Sequence, residues 1–186
     1  LDRLTIKAVE ESIHAGFPLD AEAVLLIELD GLKDGMERLA ERIMEICKKN
    51  NAREVKTAKT EAERTQLWAG RKGAFGAIAR LRPNYLVCDG TVPRTKLPEV
   101  LTKVMEVGKK YNLVIANVFH AGDGNLHPLI LFDERNEEEL RKVHLAGSEI
   151  MKLCADAGGT ISGEHGIGTE KKKEMLFVFT PKDIGA

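Results

Sequence analysis

The stretch Phe119-His-Ala-Gly-Asp-Gly-Asn-Leu-His-Pro128 constrains this chain more than any other. Asp123-Gly124 is a strong two-residue hairpin turn, because a type I′ turn needs positive φ at both central positions. Counting outward from that turn sets Gly122 against Asn125, Ala121 against Leu126 and His120 against His127. Directly opposed residues of an antiparallel pair share a face with Cβ atoms roughly 4.5–5.5 Å apart, close enough for two imidazoles to converge on one ion. Asn125 shares the face of His127 and is a candidate binding residue. The competing reading is a structural histidine pair on a hairpin, and spacing alone leaves both open. A metal gains slightly from Pro128, which suits a bulge or edge beside a ligand.

A second segment, Ala157-Gly-Gly-Thr-Ile-Ser-Gly-Glu-His-Gly-Ile-Gly168, holds five of the 17 glycines. Such density implies a backbone that turns sharply or approaches something closely. Glu164 is the carboxylate that could join two histidines in an open metal site, and His165 is a candidate general base. The spacing of Gly163, Gly166 and Gly168 does not fit a dinucleotide fingerprint. The plainer alternative is a loop before a helix starting near Ile167.

Around these motifs the pattern alternates. Helices are expected over 2–15, 33–49, 61–81, 96–110 and 137–157, and strands over 21–29, 53–57, 85–88, 113–119 and 126–132. From residue 85 the order is strand-helix-strand-strand-helix, that of a ferredoxin-like α+β unit with an antiparallel sheet covered by helices. On the helix from Glu61, Arg71 lies in an apolar stripe with Leu67, Trp68, Phe75 and Ile78. It is a candidate carboxylate anchor, or else a snorkelling or internally paired arginine.

Composition sets the outer bounds. With 186 residues the chain suits one domain, 1–186, and 28 basic against 29 acidic residues give a net charge of -1. That balance provides no basic field for nucleic acid. Cys47, Cys88 and Cys154 are widely spaced and odd in number, which favours a reducing, cytoplasmic setting. No apolar run is long enough to span a bilayer.

The two histidine motifs resemble paired signatures of the C-terminal domain of FAD-linked oxidases, the family of the glycolate oxidase FAD subunit and D-lactate dehydrogenase. Leu67-Trp-Ala-Gly-Arg-Lys72 and Asp89-Gly-Thr-Val-Pro-Arg94 resemble two further segments. The resemblance implies a cap domain of a two-domain flavoenzyme that oxidises glycolate, D-lactate or a similar 2-hydroxy acid. It implies that His120, His127 and Glu164 bind a divalent metal such as zinc, that His165 removes the hydroxyl proton, and that Arg71, with Asn125 nearby, faces the substrate. FAD is then held mainly by an N-terminal domain absent from these residues, so the chain is expected to be a fragment. An electron acceptor or partner subunit, a homodimer, and a full-length enzyme peripheral to a membrane complete the expectation. A lysine used in the D-2-hydroxyglutarate branch would fall near Val87, which turns the resemblance away from that substrate. A free-standing metal-dependent hydrolase and a non-catalytic interaction module are the alternatives.

Overall fold

The computed structural model describes residues 1–185, the side chain of Lys33 excepted. Its organising element is the chain segment 125–132. Strands β4 (Asn125–Leu126) and β5 (Pro128–Phe132) flank His127, and β5 is buried along its whole length. A strand covered on both faces reads as a continuous apolar run, as Leu129-Ile-Leu-Phe132 does. On one side it pairs antiparallel with β1 (Asn84–Val87) and β2 (Gly90–Thr91), in the registers Val87↔Leu129 and Gly90↔Leu126. On its other side lies β3 (Val114–Asn117), with Asn117 opposite Pro128.

Alternation divides the side chains of this central segment between two cores. Leu126, Ile130 and Phe132 face the cluster built by α5 (Leu97–Tyr111) and α6 (Glu137–Asp156). Leu129 and Leu131 face the other, with α1 (Arg3–Ser12) and α4 (Ala74–Ile78). Full burial of each such Leu or Ile contributes about 1.5–3 kcal/mol. By the same alternation, His127 belongs to the α1–α4 face.

Capping explains the helix starts. Asp2 accepts from the Thr5 amide at 2.9 Å to begin α1, and its other oxygen accepts from the Asn117 amide, which ties the helix to the end of β3. Asn136 caps α6 ahead of Glu137, Glu138 and Glu139, whose charges suit a helix N-terminus. Helix α5 follows a 3-10 turn at Arg94–Lys96 and ends at Asn112, which takes a left-handed φ of 54°.

The fold is the expected α+β class, and the pairing of β1 with β5 and of β5 with β3 is that of the expected ferredoxin-like unit. Beyond β2, Thr91 exchanges backbone hydrogen bonds with Thr160 at 2.9 and 3.1 Å. The glycine-rich segment therefore enters along the outer side of the first strand pair.

Three local expectations need correction, and one alternative reading falls. Residues 21–29 form no strand beyond an isolated bridge of Ala23 to Asp2, and Leu25 and Ile27 stand exposed because no strand lies beside them. Residues 53–57 are also without strand pairing and are largely exposed. The helix expected over 61–81 divides at Gly73 into α3 (Glu61–Lys72) and α4. No α-helix starts at Ile167; turns lead instead to a 3-10 turn at Glu174–Phe177 and the short α7 (Pro181–Ile184). Helix α2 (Lys33–Lys49) forms as expected.

Cys88 and Cys154 lie in the α5–α6 core, where burial pushes each thiol up to about 12. Cys47, on α2, is partly exposed. Brief alkylation of the native protein at neutral pH is expected to label Cys47 and spare Cys88 and Cys154, with all three reacting in denaturant. Peptide mass spectrometry reads the difference, and rapid native labelling of Cys88 would contradict this packing.

Candidate active site and metal centre

The hairpin carrying the two histidines differs in register from the sequence expectation. His120 donates to the Asn125 carbonyl at 3.0 Å and accepts from the Asn125 amide at 3.3 Å, so these two residues are opposed. The loop is therefore 121–124, four residues rather than two, with Gly124 at φ 72°. The shift amounts to two positions along one strand, which preserves the face. His120 and His127 become diagonal neighbours, and their ring centroids lie 5.5 Å apart. The convergence holds although the pairing that first suggested it does not.

The glycine-rich segment brings the remaining groups. Glu164 Oε1 lies 2.9 Å from His127 Nε2 and 3.8 Å from His120 Nε2. His165 stacks on His127 with ring centroids 5.0 Å apart, and its Nε2 is 3.5 Å from Glu164 Oε1. His127 is the buried member, at 1% exposure, whereas His120, Glu164 and His165 open to solvent. Burial lowers the His127 pKa despite the opposing pull of Asp89 and Glu164, favouring the neutral imidazole.

This close approach depends on Gly163. A Cβ there would lie 2.4–2.6 Å from the side-chain amide of Asn125. Asn125 is itself buried and its Oδ1 has no hydrogen-bond partner. It forms a wall between the hairpin and the glycine-rich loop.

Arg71 reaches the site from α3. Gly70, one residue earlier, packs so closely that a Cβ would sit 2.6–2.8 Å from Ala15 and Phe17. That contact holds the last turn of α3 against the segment after α1. One guanidinium nitrogen of Arg71 then lies 3.4 Å from His120 Nε2. Partial burial lowers the Arg71 pKa, and Glu164 is the charge that opposes the shift. Arg71, Trp68, Phe119 and His120 line one end of a cleft of about 1160 Å³, which continues past Met105 and Val114.

His120, His127 and Glu164 offer one ligand atom each, all within 4.8 Å of one another. Donors around a single ion with roughly 2.0–2.2 Å bonds lie about 3.3 Å apart in a tetrahedral site. Two imidazoles and a carboxylate, one imidazole neutral and buried, fit such an ion with small side-chain adjustments. The structure thus gathers His120, His127, Glu164, His165 and Arg71 at one end of the sheet. It also brings in Asp89, whose only signal in the sequence is its position just after an apolar strand, in the segment Asp89-Gly-Thr-Val-Pro-Arg94.

Fold and site define an α+β domain that collects acid–base and metal-ligand side chains beside an open cleft. The chain belongs to the family of FAD linked oxidases, C-terminal domain, whose model matches residues 1–186. It is 49% identical over 184 residues to the glycolate oxidase subunit GlcD of Escherichia coli (strain K12), a match covering 99% of this chain and 37% of that protein. The GlcD subunit of Bacillus subtilis (strain 168) is 43% identical over 186 residues, covering 100% and 40%. The mitochondrial D-lactate dehydrogenase [cytochrome] of Arabidopsis thaliana is 28% identical over 177 residues, covering 94% and 31%. The chain therefore spans well under half the length of these relatives. Among the described residues no helix is long and apolar enough to cross a membrane.

Gly163→Ala is expected to destabilise the protein by about 1–3 kcal/mol through overpacking against Asn125. Adding Asn125→Ala should recover part of the loss, because the two residues touch. Thermal unfolding of the single and double variants measures the coupling, and strictly additive effects would contradict the contact.

Proposed function

We propose that this domain forms the substrate and metal side of the active site in an FAD-dependent D-2-hydroxy-acid dehydrogenase of the glycolate or D-lactate type. The observation that carries the reading is the convergence of His120, His127, Glu164, His165 and Arg71, of which His120 and Arg71 line the cleft. Its support from relatives is the family match and the oxidase and dehydrogenase names of the similar proteins. Those names lend nothing to a free-standing hydrolase or a non-catalytic interaction module.

In this reading Arg71 receives the substrate carboxylate, for which a guanidinium fork is well shaped. Its position beside His120 sets the rest of the molecule toward Glu164 and His165. His165 accepts the hydroxyl proton as C2 gives up its hydride, converting the 2-hydroxy acid to a 2-oxo acid. Glu164 beside His165 stabilises the imidazolium that this transfer creates. Holding carboxylate and hydroxyl at fixed positions restricts the reactive C–H to one direction.

His120, His127 and Glu164 are the residues that would hold a divalent metal such as zinc, which when bound lowers the pKa of a hydroxyl beside it. FAD, carried mainly by the part of such an enzyme outside this chain, supplies the hydride acceptor. An electron acceptor or partner subunit then receives the electrons. A homodimer and a cytoplasmic enzyme peripheral to a membrane belong to the same proposal.

Steady-state kinetics of the full-length enzyme with glycolate and D-lactate test these roles. Arg71→Lys should raise KM by at least about tenfold, since a point charge replaces a bidentate fork. His165→Gln should lower kcat by about 10²–10⁴-fold with KM less affected. An unchanged kcat in His165→Gln would remove the base assignment. For the metal, His127→Gln should abolish stoichiometric zinc uptake, measured by elemental analysis after dialysis; retention of a full equivalent would remove the ligand assignment.

A further inference from the structure

Beneath the side chains just assigned lies a carboxylate with no role so far. Asp89 is fully buried between β1 and β2. The strand pairing keeps one offset on either side of it, Val87↔Leu129 and Gly90↔Leu126, so Asp89 stands opposite His127 across the break in the ladder.

Its two oxygens are heavily engaged. Oδ2 accepts from the Ser162 hydroxyl at 2.9 Å and from the amides of Gly163 at 3.1 Å, Glu164 at 3.2 Å and His165 at 2.9 Å, with the Lys171 ammonium at 3.4 Å. Oδ1 also meets the Glu164 amide at 3.2 Å and lies 3.8 Å from His127 Nδ1. That ring nitrogen is buried and has no hydrogen-bond partner.

We propose that Asp89 is the positioning residue of this site: one carboxylate fixes the backbone that presents Glu164 and His165, and orients the His127 ring by drawing Nδ1–H toward itself. The loop half follows from acceptor capacity. Consecutive amides from 163 to 165 point at one side chain, so the backbone curls around Asp89 and presents Glu164 and His165 beside the histidines, with a His165 ring nitrogen within 4.8 Å of both the Asp89 carboxylate and His127. The imidazole half follows from electrostatics. A neutral imidazole carries one N–H, and a buried carboxylate facing Nδ1 favours the tautomer with the proton there. Nε2 then keeps its lone pair for a cation held between it and Glu164, as a metal ligand requires.

An amide cannot do both. Asparagine offers a single acceptor oxygen, and its NH₂ must face either the loop amides or His127 Nδ1. In the first case donors oppose donors; in the second the amide donates to Nδ1 and forces the proton onto Nε2. Lys171 offsets the charge of the native carboxylate from the far side.

The His127 half rests on the metal reading proposed above, and the loop half does not. In the full-length protein, Asp89→Asn should lower Zn²⁺ affinity by about 10–100-fold in chelator competition, the usual effect of removing an outer-shell partner. Ser162→Ala, which removes one donor and keeps the carboxylate, should stay within about threefold of the unsubstituted protein. Hydrogen exchange in Asp89→Asn should accelerate at residues 162–166 while peptides from 114–132 keep their protection. Zn²⁺ affinity within twofold of the unsubstituted protein would overturn the His127 half, and unchanged exchange at 162–166 the loop half. Faster exchange across the whole sheet would reduce Asp89 to a folding residue and overturn both. An unsubstituted protein that takes up no Zn²⁺ would refute the metal reading and the His127 half with it, while exchange at 162–166 still decides the loop half.

Discussion

The structure depends on the burial of one strand segment, residues 125–132, on both of its faces. Its alternation leaves no freedom of register, because a slip of one residue would put His127 into the α5–α6 core and Leu126 into the site. The same segment is flanked on both sides, by β1 and β2 and by β3 and the hairpin. A polar ring at position 127 is thus held on a rigid floor, with hydrophobic packing on either hand. Sites built on such floors keep their geometry better than sites made of loops alone.

Upon that floor the loop groups are added by polar contacts rather than by packing. Glu164 and His165 have little apolar surface and are substantially exposed. What anchors their backbone is the set of donors converging on Asp89. Burial alone would raise the Asp89 pKa; the donors from His165, Ser162 and Glu164 and the charge of Lys171 bring it below the usual carboxylate range instead. A buried acid so surrounded stays ionised, and an ionised acid keeps all of its acceptor sites. Arg71 is placed by a third device, the close approach of α3 at Gly70 to Ala15 and Phe17. Three independent elements therefore meet at one end of the sheet, which holds the candidate groups in fixed relative positions.

Much of this was legible without coordinates. The histidine pair, the Glu164-His165 dipeptide and Arg71 all stood out in the sequence, and the structure brings all five together. The α+β order from β1 to α6 was legible too, because amphipathic helices and buried strands have different periods. The strands expected at 21–29 and 53–57 failed for a shared reason. Apolar content marks a segment able to join a sheet, but neither of these segments pairs with a strand beyond the isolated bridge of Ala23 to Asp2.

The sequence by itself determined which chemistry this chain could carry, since residue types and their strand parity decide which groups share a face. A two-residue change of register left that parity intact, so the histidines converged despite the misplaced turn. Tertiary structure alone decided what lies beneath them. Asp89 is separated from Ser162 by more than seventy residues, and no local pattern records that its carboxylate would be enclosed by the amides of that loop. Enclosure of a charge is a property of the surrounding three-dimensional packing, in which distant backbone donors replace water, and a linear spacing contains no information about it.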